Sequence, residues 1–316
     1  MKTHIASAFD KNFLVRGLAT YRSIYPHTPD AHFWVLCLDN ETKPMMEKMN
    51  LKNVSCITLE EMNNKELLET RPKRNNTEFA MTSKSCFLSY LINTNKVKSN
   101  EILILTDVDM IFYSPIHEFI EKEKNNKDYC IFLTPHKFSK EKEKLIPEVG
   151  FYNGGFITFR INETSKMCIN TWAKQCINWC YLWHDYVNNW HTDQMYIDKW
   201  KTKYKGVMDL PDKGVNAGNW NIRRFRVTRS KDGNFFVDGD PLVCYHFHGL
   251  KMYLTKNGII KPYPICIYNK MIYKEYIKDL QKALEDVLLI DPNWKYGFAS
   301  YPGILRIIKQ SVWKNF

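Results

Sequence analysis

The chain reads as an α/β protein: a mostly parallel sheet flanked by helices, followed by a C-terminal helical extension. Three observations predict this. Short apolar runs alternate with segments of helical spacing through the first 160 residues, the mark of βαβ units. One run, Ile102 to Leu105, is continuously apolar, as expected of a strand buried on both faces. Past Tyr253 the character changes to a proline-broken connection and one long amphipathic segment.

Taken in order, His4 to Phe9 predicts the first strand, and Leu14, Leu18, Tyr21 and Ile24 recur at helical spacing before Pro26. Phe33 to Leu38 and Val54 to Leu59 predict two further strands, and Glu78 to Ile92 a second helix carrying Ser83 and Lys84 early in it. A lysine near a helix start is disfavoured by the helix dipole unless an anion is close. Ala6, Ser7 and Ala8 are small enough to let a ligand approach the end of the first strand. They serve helix–strand packing equally well.

The Ile102 strand ends in Asp107 and Asp109. One intervening residue aims both carboxylates the same way on extended backbone. Ligands of open α/β sheets bind at the carboxyl ends of strands, and two hard oxygen ligands there suit a divalent cation holding phosphates. A solvated turn is the plainer reading. A phosphatase of the haloacid-dehalogenase type would place Thr where this chain has Ile111.

Tyr129 to Leu133 predicts a strand, and His136 to Lys144 a solvated, mixed-charge loop or flap. Asn153-Gly154-Gly155 permits tight backbone geometry, as a hairpin turn would, and Phe156 to Phe159 continues as a strand. From Lys166 to Trp190 an aromatic stripe at helical spacing predicts a core helix ending near Asp193 and Gln194. An N-cap role for Thr192 or Asp193 is the plainer reading there. Leu242 to His248 predicts a strand with Cys244, His246 and His248 on one face. That face suits zinc, or supplies a single imidazole completing an Asp/Asp/His manganese site. Gly249 and Lys251 favour phosphate capture beside the second. Asn269 to Leu289 predicts a long helix, and the basic, aromatic stretch from Ile304 to Phe316 one that docks on the domain or rests on an anionic bilayer.

The totals narrow the function classes. A net charge of +11 over 316 residues favours anionic ligands, but no recognition-helix, zinc-finger or RNA-binding signature accompanies it, so nucleic acid is not the expected partner. Nine cysteines without Cys-x-x-Cys spacing, no signal-peptide core and no run approaching ~18 apolar residues predict a cytoplasmic protein, at most peripheral to a membrane.

The order of these motifs resembles GT-A-fold (Rossmann-like) nucleotide-sugar glycosyltransferases, and among them the retaining enzymes of glycosyltransferase family 8. The motifs are a small-residue first strand, a basic helix, strand–Asp-x-Asp, an Asn-Gly-Gly strand, Asp-Gln, and His-x-x-Gly with a nearby Lys. The likeness covers residues 3 to 251, with residues 1 to 255 expected as the catalytic domain and 256 to 316 as the extension. The resemblance implies Mn²⁺ (or Mg²⁺) held by Asp107, Asp109 and His246, and a UDP-sugar donor with Asp107 also facing its ribose. It further implies a nucleotide pocket lined by Ala6, Ser7, Ala8 and Phe9, and Lys84, Lys251 and the Gly249 backbone at the diphosphate or sugar. Asn153, Gly154, Gly155, Asp193 and Gln194 would surround the transferred sugar, with Asp193 and Gln194 as the catalytic candidates. The acceptor would be a glycan or glycoconjugate. The chain departs from the family in its lysine, five rather than six residues after His246 and followed by Met252-Tyr253 instead of Pro-Trp. That leaves His248 a rival ligand. A non-catalytic nucleotide-sugar binding protein on the same scaffold is the second reading.

Overall fold

The computed structural model describes residues 2–116, 128–187, 191–211, 213–263 and 269–301. Its strands, in chain order, are β1 (Thr3–Phe9), β2 (His32–Cys37), β3 (Val54–Thr58), β4 (Ile102–Thr106), β5 (Met110–Phe112), β6 (Ile131–Leu133), β7 (Phe156–Arg160), β8 (Val207–Asp209), β9 (Ala217–Gly218), β10 (Val227–Arg229), β11 (Phe235–Val237), β12 (Asp240–Pro241), β13 (Cys244–His246), β14 (Met252–Leu254) and β15 (Ile260–Pro262). Seven strands form the main sheet in the order β3-β2-β1-β4-β7-β6-β8, parallel except for β7. The expected mostly parallel sheet with flanking helices is what the chain forms.

Period-two alternation divides the core between the two faces. Ile5, Val35 and Ile104 pack on one side with the Leu14–Ile24 and Lys270–Ile290 helices. Ala6, Leu36, Leu103 and Leu105 pack on the other with the Asn76–Asn93 and Glu163–Asn178 helices. Strand order reverses between β1 and β4: β2 and β3 lie to one side of β1, β4 to the other. A crevice opens at the carboxyl ends of strands where the order reverses in this way, which sets the place of a binding site.

A small sheet, β5-β13-β9, carries the second half of that site. β5 follows directly after Asp109, and its antiparallel register with β13 pairs Met110 with His246. Two residues distant in sequence thereby become neighbours. The Lys270–Ile290 helix braces β13 from behind: Tyr273 packs edge-on against Tyr245, and Tyr276 stacks on Phe247 at 3.8 Å.

Several sequence expectations need correction. The helix expected from Glu78 begins at Asn76, because Asn75 caps it and the Glu78 carboxylate in turn accepts from the Asn75 amide, a capping box. The aromatic stripe does not continue as one helix. The helix ends at Asn178, where Trp179 is extended, and Trp183 and Tyr186 are 57% and 80% exposed. Trp179 and Trp183 do meet, edge-on at 5.2 Å, but through a loop. The strand expected through His248 stops at His246. The His136 to Lys144 run is not wholly solvated: His136, Phe138 and Ser139 are buried. The basic stretch from Ile304 to Phe316 lies outside the described residues. No helix among the described residues is long and apolar enough to cross a membrane.

Candidate functional site

At the crevice lies a cavity of about 520 Å³, lined by the end of β1 (Ala8, Phe9) and Asp10 just after it, the start of the Asn76–Asn93 helix, and Lys84, Asp107, Asp109, His246, His248 and Gly249. Of the residues expected to line a nucleotide pocket, Ala8 and Phe9 do so. Ala6 is buried under a helix, and the Ser7 hydroxyl donates to the Thr106 carbonyl at 2.7 Å, tying β1 to β4. Asp10, Asn12, Phe13 and Asp39 line the cavity as well and had no signal in the apolar patterning. They follow the carboxyl ends of β1 and β2, and only the strand order shows that these loops meet.

Asp109 and His246 form the centre. His246 Nε2 lies 3.0 Å from Asp109 Oδ1 and 3.9 Å from Asp107 Oδ2. Asp109, His246 and His248 each offer a ligand atom within 4.8 Å of the others. The Phe247 amide donates to the Asp109 carbonyl at 2.7 Å, which locks the two strands' ends together. Cys244, placed by alternation on the His246 face, is not one of this group. Its sulfur accepts from the Asn216 amide at 3.1 Å in the buried core. The zinc set containing Cys244 is therefore set aside.

Charge balance at this centre is strong. Burial opposes the imidazolium of His246, but the Asp109 and Asp107 carboxylates outweigh it and raise its pKa. Burial likewise opposes the Asp109 carboxylate, yet His246, His248 and Arg16 hold it well below the usual carboxylate range. Partial loss of solvation against the surrounding protein lowers the pKa of His248, and the neighbouring His246 adds to it. A carboxylate pair beside two imidazoles is a donor set for a divalent cation.

Lys84 joins this centre to the next. Its buried amine lies 3.0 Å from Asp107 Oδ1 and 3.2 Å from Asp193 Oδ2. Burial works against its charge, and the two carboxylates overcome that, raising its pKa. Asp193 begins a 3₁₀ turn but makes no side-chain capping bond, which leaves its carboxylate for Lys84. Burial raises the Asp193 pKa against the pull of Lys84. The Trp172 indole donates to the Asp193 carbonyl at 2.9 Å and fixes the turn.

Behind Asp107 the Asn153-Gly154-Gly155 segment closes the floor. The Asp107 amide donates to the Gly155 carbonyl at 2.8 Å. A side-chain carbon on Gly155 would fall 2.6 Å from His246 Cε1 and 2.9 Å from both Asp107 Oδ2 and Asn153 Oδ1, so glycine is required by close approach. The Asn153 carboxamide is held at both ends. Its oxygen accepts from Gly155 N and Asn216 Nδ2, each at 2.9 Å, and its nitrogen meets His136 Nε2 at 3.3 Å. Burial pushes His136 down to about 4, so the neutral ring donates through Nδ1 to the Gly150 carbonyl at 3.1 Å and accepts from Asn153. Gln194 is likewise engaged by backbone: its Oε1 accepts from Gly154 N at 3.3 Å and its Nε2 donates to the Val149 carbonyl at 2.6 Å. Asn153, Gly154, Gly155, Asp193, Gln194 and Lys251 are not among the residues lining the 520 Å³ cavity. Asp193 adjoins it through Lys84, Gly155 adjoins Asp107, and Lys251 is exposed beyond Gly249.

No family model matches the sequence. Two proteins of Bacillus subtilis (strain 168) are similar over nearly their whole length. The uncharacterised protein YfnD is 27% identical over 304 residues, 93% of this chain and 94% of YfnD. The uncharacterised protein YfnF is 26% identical over 311 residues, 95% of this chain and 98% of YfnF. Among solved structures, the galactosyltransferase LgtC, in complex with donor and acceptor sugar analogues, aligns with a TM-score of 0.58 over 89% of this chain and 96% of LgtC, at 14% identity. The glycosyltransferase GlyE of Streptococcus pneumoniae TIGR4 aligns at 0.50 over 95% of this chain and 66% of GlyE, at 11% identity. The chain thus has the fold of the GT-A glycosyltransferases and resembles family 8, to which LgtC belongs.

Proposed function

We propose that the protein is a metal-dependent glycosyltransferase that moves a sugar from a nucleoside diphosphate sugar, with UDP-sugar the expected donor, to a glycan or glycoconjugate, retaining the anomeric configuration. The observation that carries this is the meeting of Asp109, His246 and His248, with Asp107 beside them, in the wall of the cavity at the reversal of strand order. The donor set fits Mn²⁺, or Mg²⁺ in its place. When bound, such a cation supplies Lewis-acid stabilisation of the charge that develops on the diphosphate leaving group.

The chain's own residues do the rest. Ala8 and Phe9 give the nucleoside a close, apolar wall, and Gly249, with φ of 73°, turns the backbone along the same cavity. Lys84 balances Asp107 against Asp193, so the metal side and the sugar side are held at a fixed separation. Asp193, beside Lys84, is the polar group we assign to the sugar hydroxyls, while Asn153 and Gln194, bonded at both ends, shape the floor next to it. The retaining path we favour is front-face, in which the departing phosphate oxygen takes the acceptor's proton. Gln194 is a weak nucleophile whose amide is already bonded to Gly154 and Val149. Asp193 is engaged with Lys84.

Release of UDP from UDP-sugars, measured with and without Mn²⁺, tests the reading. Metal-stimulated release supports it. Tight nucleotide-sugar binding without turnover favours the non-catalytic alternative. Product configuration by NMR tests retention, and inversion would refute the front-face path.

A further inference from the structure

We propose that His248 is a direct ligand of the same cation as Asp109 and His246. In this proposal the second imidazole makes the site prefer borderline ions such as Co²⁺ and Zn²⁺ over Mg²⁺. The inference rests on the metal-dependent reading and deepens it.

Three features position the ring. The ligand atoms of Asp109, His246 and His248 lie within 4.8 Å of one another, a spacing compatible with a single ion between them. The segment that bears the two imidazoles is anchored on its other face. Phe247, between them, is buried and stacked on Tyr276, while its amide is tied to the Asp109 carbonyl. The strand ends at His246 and the chain turns at His248, and both rings lie in the lining of the cavity. Finally, the second imidazole is held by its own neighbours. The Asn219 amide side chain donates to the His248 carbonyl at 2.9 Å. Trp220 stands edge-on to both rings, 5.2 Å from His246 and 6.4 Å from His248. His248 is exposed where His246 is buried, so the ion would be reached from solvent past His248.

The chemistry follows from donor type. Carboxylate oxygens alone suit Mg²⁺ and Mn²⁺, whereas imidazole nitrogen suits the later first-row ions, whose affinity for a given site rises from Mn²⁺ through Co²⁺. Asp109, His246 and His248, with Asp107 beside them, would hold the ion through carboxylates and imidazoles together. Replacing water by a second nitrogen raises affinity for Co²⁺ and Zn²⁺ far more than for Mg²⁺.

The test uses the full chain, stripped with a chelator and reloaded with Mn²⁺. Pulsed electron paramagnetic resonance counts the nitrogens coupled to the ion, and competition titrations give the Co²⁺ to Mg²⁺ preference. The unmodified chain is expected to show two coupled nitrogens and H248Q one. Loss of a direct ligand should cost at least the roughly tenfold that even an outer-shell partner commands in metal affinity, and the loss should fall on Co²⁺ rather than Mg²⁺. Since His248 is exposed, circular dichroism of H248Q should be unchanged. The same nitrogen count in both proteins, with an unchanged ion preference, overturns the role of His248 while leaving the metal site standing. No coordinated Mn²⁺ in the unmodified chain overturns both.

Discussion

Gly155→Ala isolates the geometry of the site from its chemistry, because it removes no ligand and no hydrogen-bonding side chain. The backbone of Gly155 is not in the left-handed region, so alanine meets no conformational strain there. The effect is steric. Its methyl carbon would sit 2.6 Å from His246 Cε1 and 2.9 Å from Asp107 Oδ2 and Asn153 Oδ1. Optimal carbon–carbon contact is ~3.5–4.0 Å, so the imidazole must retreat by about 1 Å. That movement breaks the 3.0 Å approach of His246 to Asp109. Overpacking of this kind costs roughly 1–3 kcal/mol of stability. At ~2–4 °C per kcal/mol for a large domain, the melting temperature should fall by several degrees with the fold intact. Misplacement of a reacting group by 1 Å costs about 10²-fold in rate. We therefore expect metal-stimulated UDP release to drop by about two orders of magnitude, measured by coupled assay, with circular dichroism unchanged. Activity within twofold of the unmodified chain would refute the claim that Asp107, His246 and Asn153 work as one packed unit.

Three further outcomes are expected. Asp109→Ala should abolish turnover while leaving the far-ultraviolet circular dichroism spectrum unchanged. Lys84→Met leaves Asp193 buried opposite Asp107 without their shared cation, and breaking such a pair costs ~3–5 kcal/mol. The Asp193 pKa, already raised by burial, should rise further, so this variant's stability is present at low pH and lost as pH rises. Urea unfolding should find it closer to the unmodified chain at pH 5 than at pH 7. His136 is 5% exposed and held neutral, with a folded-state pKa of about 4 against 6.5. Its contribution is complete above 6.5 and is lost as pH falls towards 4, at most roughly 3 kcal/mol. Urea unfolding between those limits should show a shallower pH slope in His136→Gln than in the unmodified chain.

What was legible in the sequence is what depends on local period. The main-sheet strands other than β8, and the Leu14–Ile24 and Lys270–Ile290 helices, follow from apolar spacing, and the Asp-x-Asp at the end of β4 from a carboxylate pair after a buried run. The Asn76 start was also legible, in the Asn75-x-x-Glu78 capping box, and apolar spacing alone concealed it. Other features depend on contacts between distant segments and leave no local trace. The pairing of Met110 with His246 sets the centre, and nothing near either residue announces it. Lys84 looked like a lysine awaiting an anionic ligand. Two carboxylates from 23 residues and from more than a hundred residues away supply its partners. The aromatic stripe beyond Asn178 shows how helical spacing misleads. Trp179 and Trp183 come into contact through a loop, and four-residue spacing does not tell that from a helix.

The central claim is that a cation held by Asp107, Asp109 and His246 carries the pyrophosphate of the donor. Isothermal titration of UDP into the chelator-stripped protein, with and without Mn²⁺, tests it most directly. The account predicts heat of binding that depends on Mn²⁺ and disappears in Asp109→Ala. Equal UDP affinity in the presence and absence of the ion would contradict it.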